Sequence, residues 1–301
     1  MTKITVKAAP WLAEFASAVS ANDPARAIEL MEMRATAHAG TPPSGEKIAA
    51  VAAIRSQFES RPHDLARWAV WMAGQPGAAA RELGALMLAH TYPQHKEKAL
   101  RLLQRLADDG HWEVREWAGS AAGDLLGRHF EEMYRVLMRW TSSRSELVRR
   151  AVAIAVRGAT DSRRPERCGA LFALIEPLVS DRAEYVRQNT GPFAVGKMLH
   201  HYPETTLRRV REWASREDEM SRWNAAMVFT SASARNHVDD ALEILSELAR
   251  DQRPLVRTAV ASALRNLIKR DADRVVPELR EWLKDERKPA AELALRRTEA
   301  S

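Results

Sequence analysis

Val148 to Val156 (VRRAVAIAV), Val114 to Leu126 (VREWAGSAAGDLL) and Val256 to Ile268 (VRTAVASALRNLI) are versions of one segment, an apolar helix with an arginine near its start. The same phrase occurs at Arg81 (ARELGALML), Arg187 (VRQNTGPFAVGKML) and Arg222 (SRWNAAMVF). Successive arginines Arg81, Arg115, Arg149, Arg187, Arg222 and Arg257 are 34, 34, 38, 35 and 35 residues apart. One repeat step ahead of Arg81 stands Lys47 (EKIAAVAAI), which marks a degenerate first unit. A fixed period of this size is the signature of a repeat array, in which each unit buries its apolar face only against its neighbours.

Ahead of the arginine each unit carries a second amphipathic stretch, with apolar residues at i, i+3, i+4 and i+7. Lys96 to Leu106, His129 to Trp140 and Asp240 to Ala249 are examples. Short polar turns such as Asp108-Asp109-Gly110 and Ser180-Asp181-Arg182 separate the two helices of a unit. The expected fold is therefore all-α, a right-handed α-solenoid of about seven HEAT-like helix hairpins with essentially no strand. An N-terminal helical region over residues 1–45 is expected to precede one continuous array over 46–301, with Ala39 to Gly45 (AGTPPSG) as the loose stretch between them.

Asp109, Asp181 and Asp251 each stand six residues before a register arginine. Stacking would bring the carboxylate of one turn to the guanidinium of a neighbouring repeat, a ladder that satisfies both groups at a half-buried seam. The recurring arginines are thus structural first. Trp140, Trp213 and Trp282 close the first helices of their units, which marks them as packing residues.

Composition bounds the rest. The chain has 301 residues, 46% hydrophobic and 29% charged, which suits a core-forming globular protein. A net charge of +6, carried mostly by arginine, admits a polyanionic partner or a merely solubilising surface. The single cysteine, Cys168, excludes an internal disulfide and any paired-cysteine zinc site, and points to a reducing, cytoplasmic setting. Met1 to Pro10 is too short and mixed for a signal peptide, and no apolar run is long enough for a membrane span. His90, His95 and His111 lack partners at ligand spacing, and His200-His201 cannot form an i, i+4 metal pair, so neither metal nor cofactor is expected. No phosphate-loop, dinucleotide-binding or serine-hydrolase motif occurs.

His111 to Ala118 (HWEVREWA), Leu147 to Val152 (LVRRAV) and Ile175 to Pro203 (IEPLVSDRAEYVRQNTGPFAVGKMLHHYP) resemble the bacterial DNA alkylation repair family of HEAT-like alkylpurine glycosylases, the AlkC and AlkD group. The likeness covers roughly Lys96 to Met227. It implies a basic, concave solenoid that holds damaged duplex DNA and excises cationic N3- or N7-alkylated purines; a monomer is expected. Such a purine is already a cationic leaving group, so the reaction mainly needs a carboxylate beside the sugar to steady its oxocarbenium character and position water. Trp112 and Glu116 are i and i+4, on one helix face, and match the family's tryptophan and acid. On this resemblance Glu116 is the catalytic carboxylate, and Trp112 and Phe193 flank the lesion or sugar. Arg150, at the position equivalent to Glu116 in the next repeat, resembles the family's phosphate-binding arginine, and Arg157 and Lys197, basic residues of the second helices, are expected to contact the DNA backbone beside it.

Other readings stay open at this level. Trp112 and Trp117 could plug the groove between repeats, and Glu116 could pair with Arg150. Where the family carries a third element, this chain reads Thr190 to Lys197 (TGPFAVGK); the family's aspartate falls on Gly196 or Lys197 and its tryptophan on Pro192 or Phe193. Pro192 should kink that helix or delay its start. Further backbone candidates are Arg128, Arg163, Arg164, Arg265, Lys269 and Arg270. A relative that binds DNA without catalysis, and a protein-interaction scaffold, are the alternative functions.

Overall fold

The computed structural model describes residues 10–296; the stretch weighed as a signal peptide lies, up to residue 9, outside the described residues. Within them every regular element is helical, and no strand occurs. The chain forms two compact units that divide at Leu125.

The first unit holds α1 (Pro10–Ser20), α2 (Pro24–Glu32), α3 (Ser44–Gln57), α4 (Pro62–Ala73), α5 (Ala78–His90), α6 (Lys96–Ala107) and most of α7 (Trp112–Arg128). The second holds α8 (Phe130–Trp140), α9 (Glu146–Ala159), α10 (Cys168–Val179), α11 (Glu184–Asn189), α12 (Gly196–His201), α13 (Pro203–Ala214), α14 (Glu219–Met227), α15 (Val238–Leu248), α16 (Pro254–Ile268), α17 (Ala272–Trp282) and α18 (Lys288–Leu295). The register positions fall near the starts of α3, α5, α7, α9, α11, α14 and α16, and α17–α18 adds one more pair in which Ala291 stands where an arginine would. The fold is thus the all-α repeat solenoid of HEAT-like hairpins.

The two helices of a hairpin differ for a physical reason. Each first helix buries one stripe: α8 turns Met133, Val136, Leu137 and Trp140 inward, at i, i+3, i+4 and i+7. Full burial of such side chains contributes about 1.5–3 kcal/mol each. Each second helix lies between neighbours and is small and apolar nearly all round, as in α9, where Val148 and every residue from Arg150 to Val156 are buried. Starts are set by caps and prolines. Ser145 accepts hydrogen bonds from the backbone of Leu147 and Val148 at the head of α9 (3.2 and 3.4 Å), and Pro24, Pro62, Pro203 and Pro254 open α2, α4, α13 and α16. Gly84 is required where α5 crosses α4, since a Cβ there would lie 2.4 Å from the Ala73 nitrogen.

The aspartate ladder forms. Arg81 bonds Asp109 (2.7 and 3.0 Å), Arg149 bonds Asp181 (2.6 and 3.1 Å), and Arg222 pairs with Asp251 at 2.7 Å. Each arginine also donates from Nη1 into the turn before its own helix. Arg115 reaches the carbonyls of Asp109 and Gly110 (2.8 and 3.0 Å), Arg149 those of Ser143 and Arg144 (2.8 and 3.2 Å), and Arg187 that of Arg182 (3.2 Å). One side chain therefore closes its own turn and grips the next. Where the next turn offers Arg216 instead of an aspartate, Arg187 lies over Trp223 (5.3 Å) and approaches the Met220 sulfur (3.7 Å).

Two segments depart from the sequence reading. Ala39 to Gly45 is not loose: Thr41 is buried at 1% exposure, because its hydroxyl is drawn into a buried charge cluster. Pro192 does not delay the start of its helix. α11 begins at Glu184, and the chain passes through a π-helical stretch, Thr190–Val195, into α12 without an intervening loop. Proline has no N–H to donate, and the widened turn accommodates the missing bond. Asn224, fully buried on α14, accepts from the Gly191 N–H (2.9 Å) and donates to the Val179 carbonyl (2.8 Å), pinning the widened turn.

Candidate functional site

α7 begins at a turn set by Asp109, whose carboxylate accepts the His111 N–H at 2.8 Å while holding Arg81. Two aromatic–acid pairs then run along the helix, offset by one residue, and the fold treats them differently. Trp117 and Glu113 face inward onto Lys47, whose side chain is buried. The Lys47 ammonium bonds Glu82 at 2.7 Å, Thr41 Oγ1 at 3.1 Å and Glu113, and lies 5.6 Å from the centre of the Trp117 ring. Thr41 in turn donates to Glu113 (3.1 Å), and His111 sits against the Ala39 carbonyl (3.1 Å). One cation thus ties α3, α5, α7 and the 39–43 segment together.

The two carboxylates respond in opposite directions. Burial pushes Glu82 above its ordinary value by more than Lys47 pulls it down. Burial also works upward on Glu113, but the hydrogen bond and charge of Lys47, with Thr41 and His111, outweigh it and hold that group below the ordinary range.

Trp112 and Glu116 make up the other pair. Trp112 is 42% exposed, with the His38 ring edge-on at 6.0 Å, and Glu116 is half-buried one turn further on. An exposed indole face beside a carboxylate is suited to a cation or a sugar.

The other residues anticipated for the site lie in the second unit. Arg150 is buried at 3% exposure, with its guanidinium 4.2 Å from the centre of the Tyr185 ring. Phe193 is 54% exposed on the π-helical stretch, Lys197 is exposed near the start of α12, and Arg157 is half-buried near the end of α9. Neither Arg157 nor Lys197 takes part in an ion pair among the described residues. At Gly196 an acid has no room, since a Cβ would lie 2.6 Å from the Ser231 Cβ. Of the further backbone candidates, Arg270 donates to the Ser231 and Thr230 carbonyls (2.8 and 3.0 Å) and Arg265 to the Leu293 carbonyl (3.0 Å), so both are engaged in local structure. His201 accepts the Ser162 N–H at Nδ1 (3.1 Å), and burial, then Lys197 and His200, hold its pKa below the ordinary value. Cys168 is buried, and among the described residues no group of His, Cys, Asp and Glu could hold a metal. No described helix is long and apolar enough to cross a membrane.

Sequence reasoning missed Lys47, Glu82, Glu113 and Tyr185. The available signal was a lysine in an arginine register, which implies a different partner from the ladder aspartate.

The family model of DNA alkylation repair enzymes matches residues 21–194 and 192–298. The chain belongs to that family. Among solved structures it is similar to AlkD2 from Streptococcus mutans, at 19% identity and a TM-score of 0.52 over 66% of this chain and 96% of that one. It is also similar to smu.31 from Streptococcus mutans UA159, at 18% identity and a TM-score of 0.51 over 65% of this chain and 96% of that one. At such identities the likeness shows the shared fold. No match was found among curated proteins.

Proposed function

We propose that this family member is a DNA N-glycosylase that removes cationic N3- or N7-alkylated purines from duplex DNA in the cytoplasm. The observation that carries the reading is on α7, where the Trp112 indole is exposed one helical turn from the half-buried Glu116, while the neighbouring Glu113 is held by Lys47. Water attacks the sugar C1′, the glycosidic bond breaks with its electron pair going to the purine, and the purine leaves neutral. Glu116 steadies the positive sugar and takes the proton from water, while the Trp112 face attracts the charged base or deoxyribose. On the second unit, the exposed Phe193 ring is the aromatic proposed to stack on a base, Arg157 and Lys197 contact the backbone, and Arg150 reaches a phosphate only when its stack on Tyr185 opens.

Release of 7-methylguanine and 3-methyladenine from alkylated duplex DNA tests this. Glu116→Gln is expected to lower the rate by roughly 100-fold or more. Equal release by wild type and variant, or none by wild type, overturns the catalytic reading. A second reading, duplex binding without excision, is favoured by Gly196, where contact with Ser231 leaves no space for the family's acid. Salt-dependent duplex affinity with no base released would establish it.

A further inference from the structure

The interval from Arg149 to Arg187 is 38 residues, against 34 or 35 elsewhere. The excess has one location. α8 starts at Phe130 and α10 at Cys168, and these two starts precede Arg149 and Arg187 by equal lengths of chain, so the first helices and turns of the two repeats are in step. The added chain therefore lies between α9 and α10, in Thr160 to Arg167 (TDSRRPER), which carries three arginines. An insertion confined to one repeat maps to a loop on one face, where repeat proteins place binding functions.

The inserted loop is braced from behind. Tyr202 Oη donates to the Asp161 carbonyl (2.8 Å) and lies within hydrogen-bond distance of the Arg164 carbonyl (3.2 Å), while His201 accepts the Ser162 N–H. Arg163, Arg164 and Arg167 then line a cavity of about 470 Å³ with Gly127, Gly158 and Asp161 at the C-terminal ends of α7 and α9. Arg167 is fixed: it donates to the Gly127 carbonyl at 2.9 Å and lies 4.6 Å over the Phe130 ring. The other two are not helix caps, since among the described residues neither side chain donates to a helix carbonyl. Arg163 instead grips Asp161 (2.8–3.1 Å), and Arg164 stands 3.8 Å from Glu166, both as exposed pairs that yield readily to a stronger anion. Gly127 keeps the wall low, with no atom within 4 Å of where a Cβ would be.

We propose that this three-arginine cavity binds a phosphodiester of the DNA backbone, outside the residues assigned to base excision. Three arginines line one opening, and their planar guanidinium forks match the tetrahedral, multi-oxygen geometry of phosphate, while Asp161 and Glu166 meet Arg163 and Arg164 only as exposed pairs. The proposal rests on the DNA-binding reading above. The rigid loop gives the phosphate a fixed point on the second unit.

The test uses the full chain, a fluorescent 20-base-pair duplex and the double variant Arg163→Gln/Arg164→Gln, with Arg101→Gln/Arg208→Gln as an equal loss of exposed charge elsewhere. The socket variant is expected to weaken binding several-fold and to lower the slope of log affinity against log salt by about 1, as loss of one phosphate contact requires, with the control unchanged. Unchanged affinity and slope, or an equal loss in the control, overturns the proposal. If the wild type binds no duplex, the DNA-binding reading and the backbone ligand fall together. Inorganic phosphate then decides what the cavity holds: a rise in wild-type Tm that the socket variant lacks retains it as a phosphate site, and no rise removes it. Preferential capture of an acidic peptide over duplex overturns the choice of nucleic acid.

Discussion

Lys47 and Arg149 stand at the same point of their repeats and make different joints. Arg149 is partly exposed, holds a single aspartate and closes its own turn, with Asp181 as a charge-assisted partner in the next. Burial penalises that guanidinium less than its hydrogen bond to Asp181 raises it. Lys47 is fully buried, holds two carboxylates and a threonine, and sits on an indole. The arginine joint repeats because it needs only one acid in one turn. The lysine joint is made once, from acids on two other helices far along the chain, and it lies directly behind the proposed catalytic face of α7. The difference teaches that the array's ordinary seam is moderate in strength and replaceable, whereas the seam that aims Trp112 and Glu116 is deeply desolvated.

Three perturbations sharpen that contrast. Lys47→Met strands the buried Glu82 and the half-buried Glu113 and is expected to cost about 3–5 kcal/mol in urea unfolding, with part of the loss recovered when Glu82→Gln is added. A loss equal to that of an ordinary rung would break the comparison. Asp181→Asn removes the charge from one ladder step and should cost about 1.5–3 kcal/mol in the same measurement. The smallest effect is in acid. Glu113 has a folded pKa below its ordinary value, so its stabilisation is complete above the ordinary carboxylate range and is lost as pH falls through the folded value. Glu82 has the opposite sign, its contribution being lost as pH rises through its raised value. Glu113→Gln should therefore flatten the fall in stability below about pH 4.5 by an amount on the order of 1 kcal/mol. Parallel acid limbs for wild type and variant would remove Glu113 from the joint.

The repeat fold was legible because its evidence is local and recurrent: an arginine, an apolar helix and an acidic turn at a fixed interval. Even the ladder partners could be named, since Asp109, Asp181 and Asp251 keep a constant offset. The Lys47 cluster was not legible, because Glu82 reads as the neighbour of a ladder arginine and Glu113 as one of several acids at a helix start. Only stacking shows that both turn toward the same lysine. Pro192 misled for a related reason. Its lost hydrogen bond is a local fact, but the remedy is Asn224, buried on a helix of the next repeat. For the site, the helix face shared by Trp112 and Glu116 followed from their spacing, and the burial of Arg150 beneath Tyr185 did not, since both are surface-compatible residue types. The long interval between Arg149 and Arg187 was visible from the outset, but its meaning depended on knowing which side of the hairpin had grown.

The arginine that closes its own turn and grips the next has a consequence for how such an array lengthens. Every joint has a donor side and an acceptor side, so the helix pairs are polar modules with a compatibility rule. A duplicated copy of the pair ending in α9 could be spliced ahead of the turn bearing Asp251, because Arg149 would find there the carboxylate it already uses. Ahead of the turn bearing Arg216 it would meet a like charge. An acidic turn accepts a duplicated pair through the ordinary joint, whereas the basic turn accepts one only as it accepts Arg187, on the Trp223 ring.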